Sequence, residues 1–403
     1  MPKTSRVYFI DAVSKGYGES WVEKIRRILD VTGFAGKIER GDRVAVKVHM
    51  GEEGNVEYLP PPFARTIASW IKEAGGEPFL TDTTTLPYHP WTSRATGSDH
   101  LKTAAGNGFT SETVGCPVVI ADGEDGLDDR EVEVPEGGRL RRQFVAKAIV
   151  DSDAMVALTH FKGHGISPGY SGSIKNVGVG CASKRGKYMI HASGGIQPVP
   201  NLERCEGRNC GHWRVCEDCC PEEAITIGDR IHIDRGRCVF CFSCINLCAG
   251  IGNFAIGFPP GYKEEEHTRI AESAYTCLRG FKPGKALFVN VIKNVTAGCD
   301  CMPWAGPPKR PNLGIIASED ILAADQSSLD LIDQSSTEKT PREDLDILIQ
   351  LKRAENLFKG SSRSYTLTSV EPRFIHPPLT QMERIRRMYK KRHPVRDLPE
   401  FKH

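Results

Sequence analysis

The chain has 403 residues, 39% of them hydrophobic, with 53 basic and 51 acidic side chains and a formal charge of +2. That length supports two or three ordinary domains with a real core, and the balanced charge argues against a nucleic-acid or membrane-surface binder while leaving a small anionic partner open. The opening stretch MPKTSRVYFIDAVSKGYGES has no long apolar run, and no segment reaches the roughly 18 uninterrupted apolar residues of a membrane span, so we expect no span and a cytoplasmic protein.

The first 90 residues alternate. SRVYFIDA reads as a strand, SWVEKIRRILDVTGF as a helix with Trp21, Val22, Ile25, Ile28 and Leu29 on one face, and DRVAVKVHM as a strand. PPPFARTIASWIKEAGG then reads as a helix and EPFLTDTTT as a strand. Apolar strands between amphipathic helices predict an α/β fold: a mostly parallel sheet with helices on both faces. Ligands of such sheets bind beyond the carboxyl ends of the strands. The residues there are polar: His49, Asp82, His160, Asn294 and Ser318, although Ser318 could simply cap the following helix.

Residues 159–191, THFKGHGISPGYSGSIKNVGVGCASKRGKYMIH, interleave glycines with His160, Lys162, His164, Lys175, Lys184, Arg185, Lys187 and His191. Glycines let backbone N–H groups approach an anion and the cations supply charge, so a phosphate or carboxylate ligand suits this segment. Neither a P-loop nor a Rossmann fingerprint is present. The blander reading is a loop that wraps the sheet, and His160 and His164 could alternatively share a metal.

Next come the cysteines. Fourteen in a chain of this size point to metal ligands rather than disulfides. Cys238, Cys241, Cys244 and Cys248 fit the CxxCxxCxxxC run of bacterial ferredoxins, and a zinc knuckle would need a gap the run lacks. Upstream, Cys216 and Cys220-Pro221 match the end of the same motif, but Cys205 and Cys210 stand at wider spacings and Cys219 is an extra thiol. The crossed-ligand pattern of two-cluster ferredoxins gives one cluster Cys220, Cys238, Cys241 and Cys244, and the other Cys205, Cys210, Cys216 and Cys248. The irregular second set could hold a full cubane, a three-iron or labile cluster, or none; His212 is a weak substitute ligand. Residues 200–258 thus resemble a bacterial-type dicluster ferredoxin domain, inserted between a first α/β part (1–199) and a second (259–334).

After the insert, helix and strand patterns resume. AGCDCMPW places Cys299 and Cys301 where a CxC pair could grip a metal, with Cys181 or a histidine; Cys116 and Cys277 read as buried thiols. Residues 335–403 turn polar and then basic, and we expect an extension ending in a surface arm.

THFKGH, SIKNVGVGCASKRGK, the insert, NVTAGCDC, NLGIIASEDILAADQSSLDLI and the earlier DTTTLPYHP together resemble the DUF362 family over about residues 5–333. The resemblance implies an α/β fold and two 4Fe-4S clusters and supplies no reaction. The glycine-rich segment is faintly similar to nickel-pincer lactate racemases, where Lys175 and His191 stand at similar spacing, but Ser173-Ile174 replaces the glycine run. We therefore expect an iron-sulfur oxidoreductase in which Lys175 and Lys162 fix a small anion and His160, His164 or His191 deliver protons beside Asp82, working with an electron donor or acceptor protein. The alternatives are a non-catalytic electron-transfer subunit and a non-redox metalloenzyme of the isomerase or racemase type. Room remains for an additional metal or organic cofactor, flavin included.

Overall fold

The computed structural model describes residues 4–14, 16, 18–86, 92–164, 169–192, 196–335, 346–371 and 379–392. The end of DTTTLPYHP and Gly165 of the glycine-rich segment lie outside the described residues.

The large sheet has eight strands: β1 (Ser5–Asp11), β2 (Arg43–Lys47), β3 (Glu77–Asp82), β4 (Val118–Ile120), β5 (Ala154–His160), β6 (Ala286–Ile292), β7 (Gly314–Ser318) and β8 (Tyr365–Ser369). Their order is β8-β1-β7-β6-β5-β2-β3-β4. All neighbours are parallel except β7, which runs antiparallel to both β1 and β6. β5, near the centre, is buried at every position, as a strand covered on both faces must be.

Ile25, Ile28 and Leu29 of the helix Trp21–Thr32 pack with Phe63, Ile67 and Trp70 of the helix Pro61–Glu73 on one face of the sheet. The second helix starts with proline in its first turn, where the missing N–H costs nothing. The other face is covered by the helices Tyr262–Leu278, Ile321–Gln334 and Asp346–Leu357, through Ile270, Ala274, Leu322, Leu329, Ile347 and Leu351.

Two expectations change here. Ser318 ends an antiparallel strand, so it sits at the opposite edge of the sheet from His49, Asp82 and His160, and its hydroxyl donates to the Arg6 carbonyl at 2.8 Å. Within 335–403, the Asp346–Leu357 helix packs into the core and Tyr365–Ser369 becomes the eighth strand, paired with β1. In the helix Leu379–Arg392, Met382, Ile385 and Met388 are exposed; residues 393–403 of the expected arm lie outside the described residues.

The cysteine segment is pinched at its ends, where Val199–Pro200 pairs antiparallel with Ile256–Gly257. Inside it a hairpin joins Ile225–Ile227 to Ile231–Ile233, and a separate core forms from Ile225, Ile227, Ile231, Phe240, Phe242, Ile245 and Ile256, together with Cys205, Cys244 and Cys248.

Candidate functional site

The parallel strands deliver His49, Asp82 and His160 to one edge of the sheet, where with the loop after β6 they line a cavity of about 390 Å³. Lys47, Arg94, Lys162, His164, Lys175, Lys187, His191, Glu266, Cys299, Asp300 and Cys301 complete the polar wall. Asn294 is not among the lining residues; its N–H donates to Asn312.

Asp82 does not stand free. It lies 3.0 Å from the Lys47 ammonium and 3.7 Å from His100 Nε2, all three buried. Burial opposes its ionisation, but Lys47, His49 and His100 outweigh it and hold the carboxyl well below the usual range. Lys47 also donates to Asn176 at 2.9 Å. His49 is pushed down to about 4 by burial and by Arg94. Arg94 in turn pairs with Glu52 at 3.1 Å. Lys187 donates to Thr83 Oγ1 at 2.5 Å and to the Ala182 carbonyl at 2.7 Å, and burial brings its ammonium down to about 8.

His160, at the end of β5, turns Nδ1 to Asp300 at 3.0 Å and Nε2 to the Lys293 carbonyl at 2.7 Å. Both nitrogens face oxygen atoms, while His164 turns to Asp346 instead. Lys162 lies 3.7 Å from the same Asp300; burial works against its charge, but Asp300 and Cys299 raise it above the usual lysine range.

Lys175 rides on the short helix Ser173–Gly178. The buried Asp325 carboxylate accepts the Ser173 and Ile174 N–H groups at 2.7 and 2.9 Å and also takes an Asn290 amide hydrogen at 2.9 Å. A Cβ at Gly172 would stand 2.2 Å from Asp325, so only glycine fits that turn. The Lys175 ammonium reaches Cys299 Sγ at 3.8 Å. Cys301 hydrogen-bonds Cys299, with Lys162 and Lys175 nearby, and this drives the Cys299 thiol well below its ordinary range while Cys301 is driven up. Cys181 is elsewhere, beside Lys47 and Asp82, pushed up to about 11 by burial.

The remaining two histidines face carboxylates. His164 Nδ1 lies 3.1 Å from Asp346, which His267 Nε2 approaches at 3.3 Å and Lys263 at 2.8 Å. Burial, then Lys175, lowers His164 to about 4. His191 lies 2.8 Å from Glu266 and 3.2 Å from the Tyr262 hydroxyl, with its ring edge-on to Phe242 at 4.7 Å.

Phe242 belongs to the cysteine segment. So do Asn246, Ala249 and Gly250 of the helix Ser243–Gly250, and all four line the same cavity. The thiols of the segment form two neighbourhoods. Cys216 is pushed up to about 11 by burial and then by Cys248, Cys210 and Cys205. Cys244 is pushed up by burial and then by Cys219, Cys241, Cys238 and Cys220. Phe240 and Phe242 have left-handed φ values of 52° and 69°, unusual for bulky residues, and the Phe240 N–H bonds the Cys238 sulfur. Backbone N–H groups of Ala224 and Ala255 reach Cys220 and Cys248 at 3.3 and 3.1 Å. His212 is exposed.

Sequence reading did not single out Lys47, Asp300, Glu266, His267 or Asp346. Lys47 had a signal, being a charged residue inside the apolar run VAVKV; the others sit in ordinary polar stretches.

Fold and site together define a mostly parallel α/β protein whose strand-end cavity is lined on one side by the cysteine-rich segment. The model of the DUF362 family, a domain of unknown function, matches residues 44–330, and the chain belongs to this family. Among solved structures, the lactate racemase apoprotein from Thermoanaerobacterium thermosaccharolyticum is similar at a TM-score of 0.40 and 13% identity, over 82% of this chain and 58% of that one. The chain therefore spans less than two thirds of that protein's length. No curated protein matches. No helix among the described residues is long and apolar enough to cross a membrane.

Proposed function

We propose that the chain is an iron-sulfur oxidoreductase: the cysteine segment holds two 4Fe-4S clusters and serves a small anionic substrate or cofactor bound in the strand-end cavity. The observation that carries this reading is the wall shared between the two. The helix bearing Cys244 and Cys248 also presents Asn246, Ala249 and Gly250 to the cavity that Lys175 and Cys299 line.

The donor set suits the clusters. Cys205, Cys210, Cys216 and Cys248 lie near one another, as do Cys220, Cys238, Cys241 and Cys244, with the extra thiol Cys219 between the two groups, which supports the crossed sets of a two-cluster domain. Four thiolates on one zinc at ~2.3 Å would stand about 3.8 Å apart. Among the described residues no three cysteine sulfurs gather even within 4.8 Å, a spread that favours a larger inorganic core. The backbone N–H groups aimed at Cys220, Cys238 and Cys248 favour thiolates. When bound, such clusters supply one-electron transfer.

The chain's own residues would do the rest. Lys175 has no carboxylate partner within ion-pair reach among the described residues and is the better anion anchor; Lys162 is tied to Asp300. His191 and His160, each against an acceptor, are placed to hold and pass protons at the cavity wall. Asp82, locked to Lys47, would shape the field rather than exchange protons.

Iron, acid-labile sulfide and zinc per chain in anaerobically purified protein test the reading. About eight irons with matching sulfide are expected for two cubanes; about four would leave the irregular set empty, and zinc without sulfide would overturn the redox reading. A Lys175→Ala variant that keeps its clusters but loses the effect of added small anions on their EPR spectrum supports the oxidoreductase over a pure electron carrier.

A further inference from the structure

We propose that His164, His267 and Asp346 form a binding site for one divalent first-row transition metal ion, separate from any metal held by the cysteines. The three ligand atoms all lie within 4.8 Å of one another. They come from three elements far apart in sequence: the loop after β5, the helix Tyr262–Leu278 and the start of the helix Asp346–Leu357.

The spacing matches coordination. Ligands at ~2.1 Å around one ion stand about 3.0 Å apart in a right-angled arrangement and about 3.4 Å apart in a tetrahedron. His164 Nδ1 and His267 Nε2 lie 3.1 and 3.3 Å from Asp346 Oδ2.

Hydrogen bonding does not account for the convergence. Both ligand nitrogens are buried and stand at ion-pair distance from Asp346, yet neither has a well-directed hydrogen bond to it. His267 is 1% exposed and Asp346 fully buried. Buried polar atoms that approach a carboxylate without bonding it are rare and call for an occupant.

The surroundings orient the ligands. His267 Nδ1 lies 2.7 Å from the Gln350 side-chain amide, whose Oε1 has no partner. Turning that amide over puts Oε1 on the Nδ1–H and leaves the Nε2 lone pair for the ion, the usual outer support of a metal-bound histidine. Lys263 forms an ion pair with the other carboxylate oxygen, Oδ1, at 2.8 Å, while Oδ2 faces the imidazoles.

Two imidazoles and one carboxylate are a set shared by catalytic zinc and non-haem Fe(II) sites, both of which keep open positions. Of the three, His164 is the member on the cavity wall, so the ion would be presented to the same cavity. The inference does not depend on the clusters.

The test is a crystal of the anaerobically purified full chain soaked in Co²⁺, with diffraction data recorded at the cobalt edge. We expect an anomalous peak bonded to His164 Nδ1, His267 Nε2 and Asp346. No peak there, or cobalt only at cysteines, overturns the site. In solution, His164→Asn should lose one Co²⁺ per chain with its d–d absorption while iron and sulfide content stay constant. Gln350→Ala should weaken Co²⁺ binding about 10–100-fold. Wild-type cobalt stoichiometry and affinity in His164→Asn would also overturn it.

Discussion

The sheet domain and the cysteine segment solve the same problem differently. The sheet buries two extensive apolar layers, one on each face, and holds its charges as buried pairs such as Lys47–Asp82. The segment has only a small core of isoleucines and phenylalanines threaded between thiols, too little to fold alone at its size. The difference teaches where a metal would matter most for folding: in the segment it would be a structural staple, whereas the sheet domain has its own apolar layers to hold its side chains.

The sharpest way to break this comparison is to remove the iron. Chelation of the anaerobic protein is expected to bring the amides of 205–256 to free hydrogen exchange while β2, β5 and β6 stay protected; equal loss in both regions would sink the distinction. Cys244→Ser alone should cost about four of about eight irons. Lys47→Met comes next. It strands Asp82 as a buried charge, which costs about 3–5 kcal/mol, read as a lower denaturation midpoint with iron content unchanged.

Lys187 gives a pH signature confined to the sheet domain. Its folded pKa of about 8 lies below its ordinary 10.5, so between those values the unfolded chain binds the extra proton. Stability therefore rises as pH climbs from about 8 to 10.5, by about 3 kcal/mol, and is fully reduced below 8. Lys187→Met should flatten that rise in denaturant titrations taken across the range. The smallest effect expected is Ser20→Ala, which removes an N-cap from Glu23 N–H and costs about 1 kcal/mol with no change at the cavity or the thiols.

How much of this could be read from the sequence followed the range of the interactions. The alternation over residues 5–82 and the thiol spacing at 238–248 are local patterns, and the strands that the alternation predicts are found in the structure. The direction of Gly314–Ser318 was not legible, because GIIAS is as apolar read either way and only its neighbours make it antiparallel. Tyr365–Ser369 was missed because it is exposed along most of its length and carries no apolar period. At the site, His164 was visible as a candidate, but its partners at 267 and 346 lie more than 100 residues away and are brought to it only by helix packing. Asp300 was overlooked because its flanking cysteines drew the eye to a metal, when the carboxylate between them is what engages His160 and Lys162.

The pairing of β1 has a consequence for how the protein is made. Both of its neighbours, β7 and β8, come from residues 314–369. At about 5–20 residues per second, a ribosome needs roughly 15–60 s after β1 emerges before its first partner is synthesised. Throughout that interval an apolar strand with two open edges waits in the cell, so the nascent chain is a natural client for chaperones that mask unpaired strands.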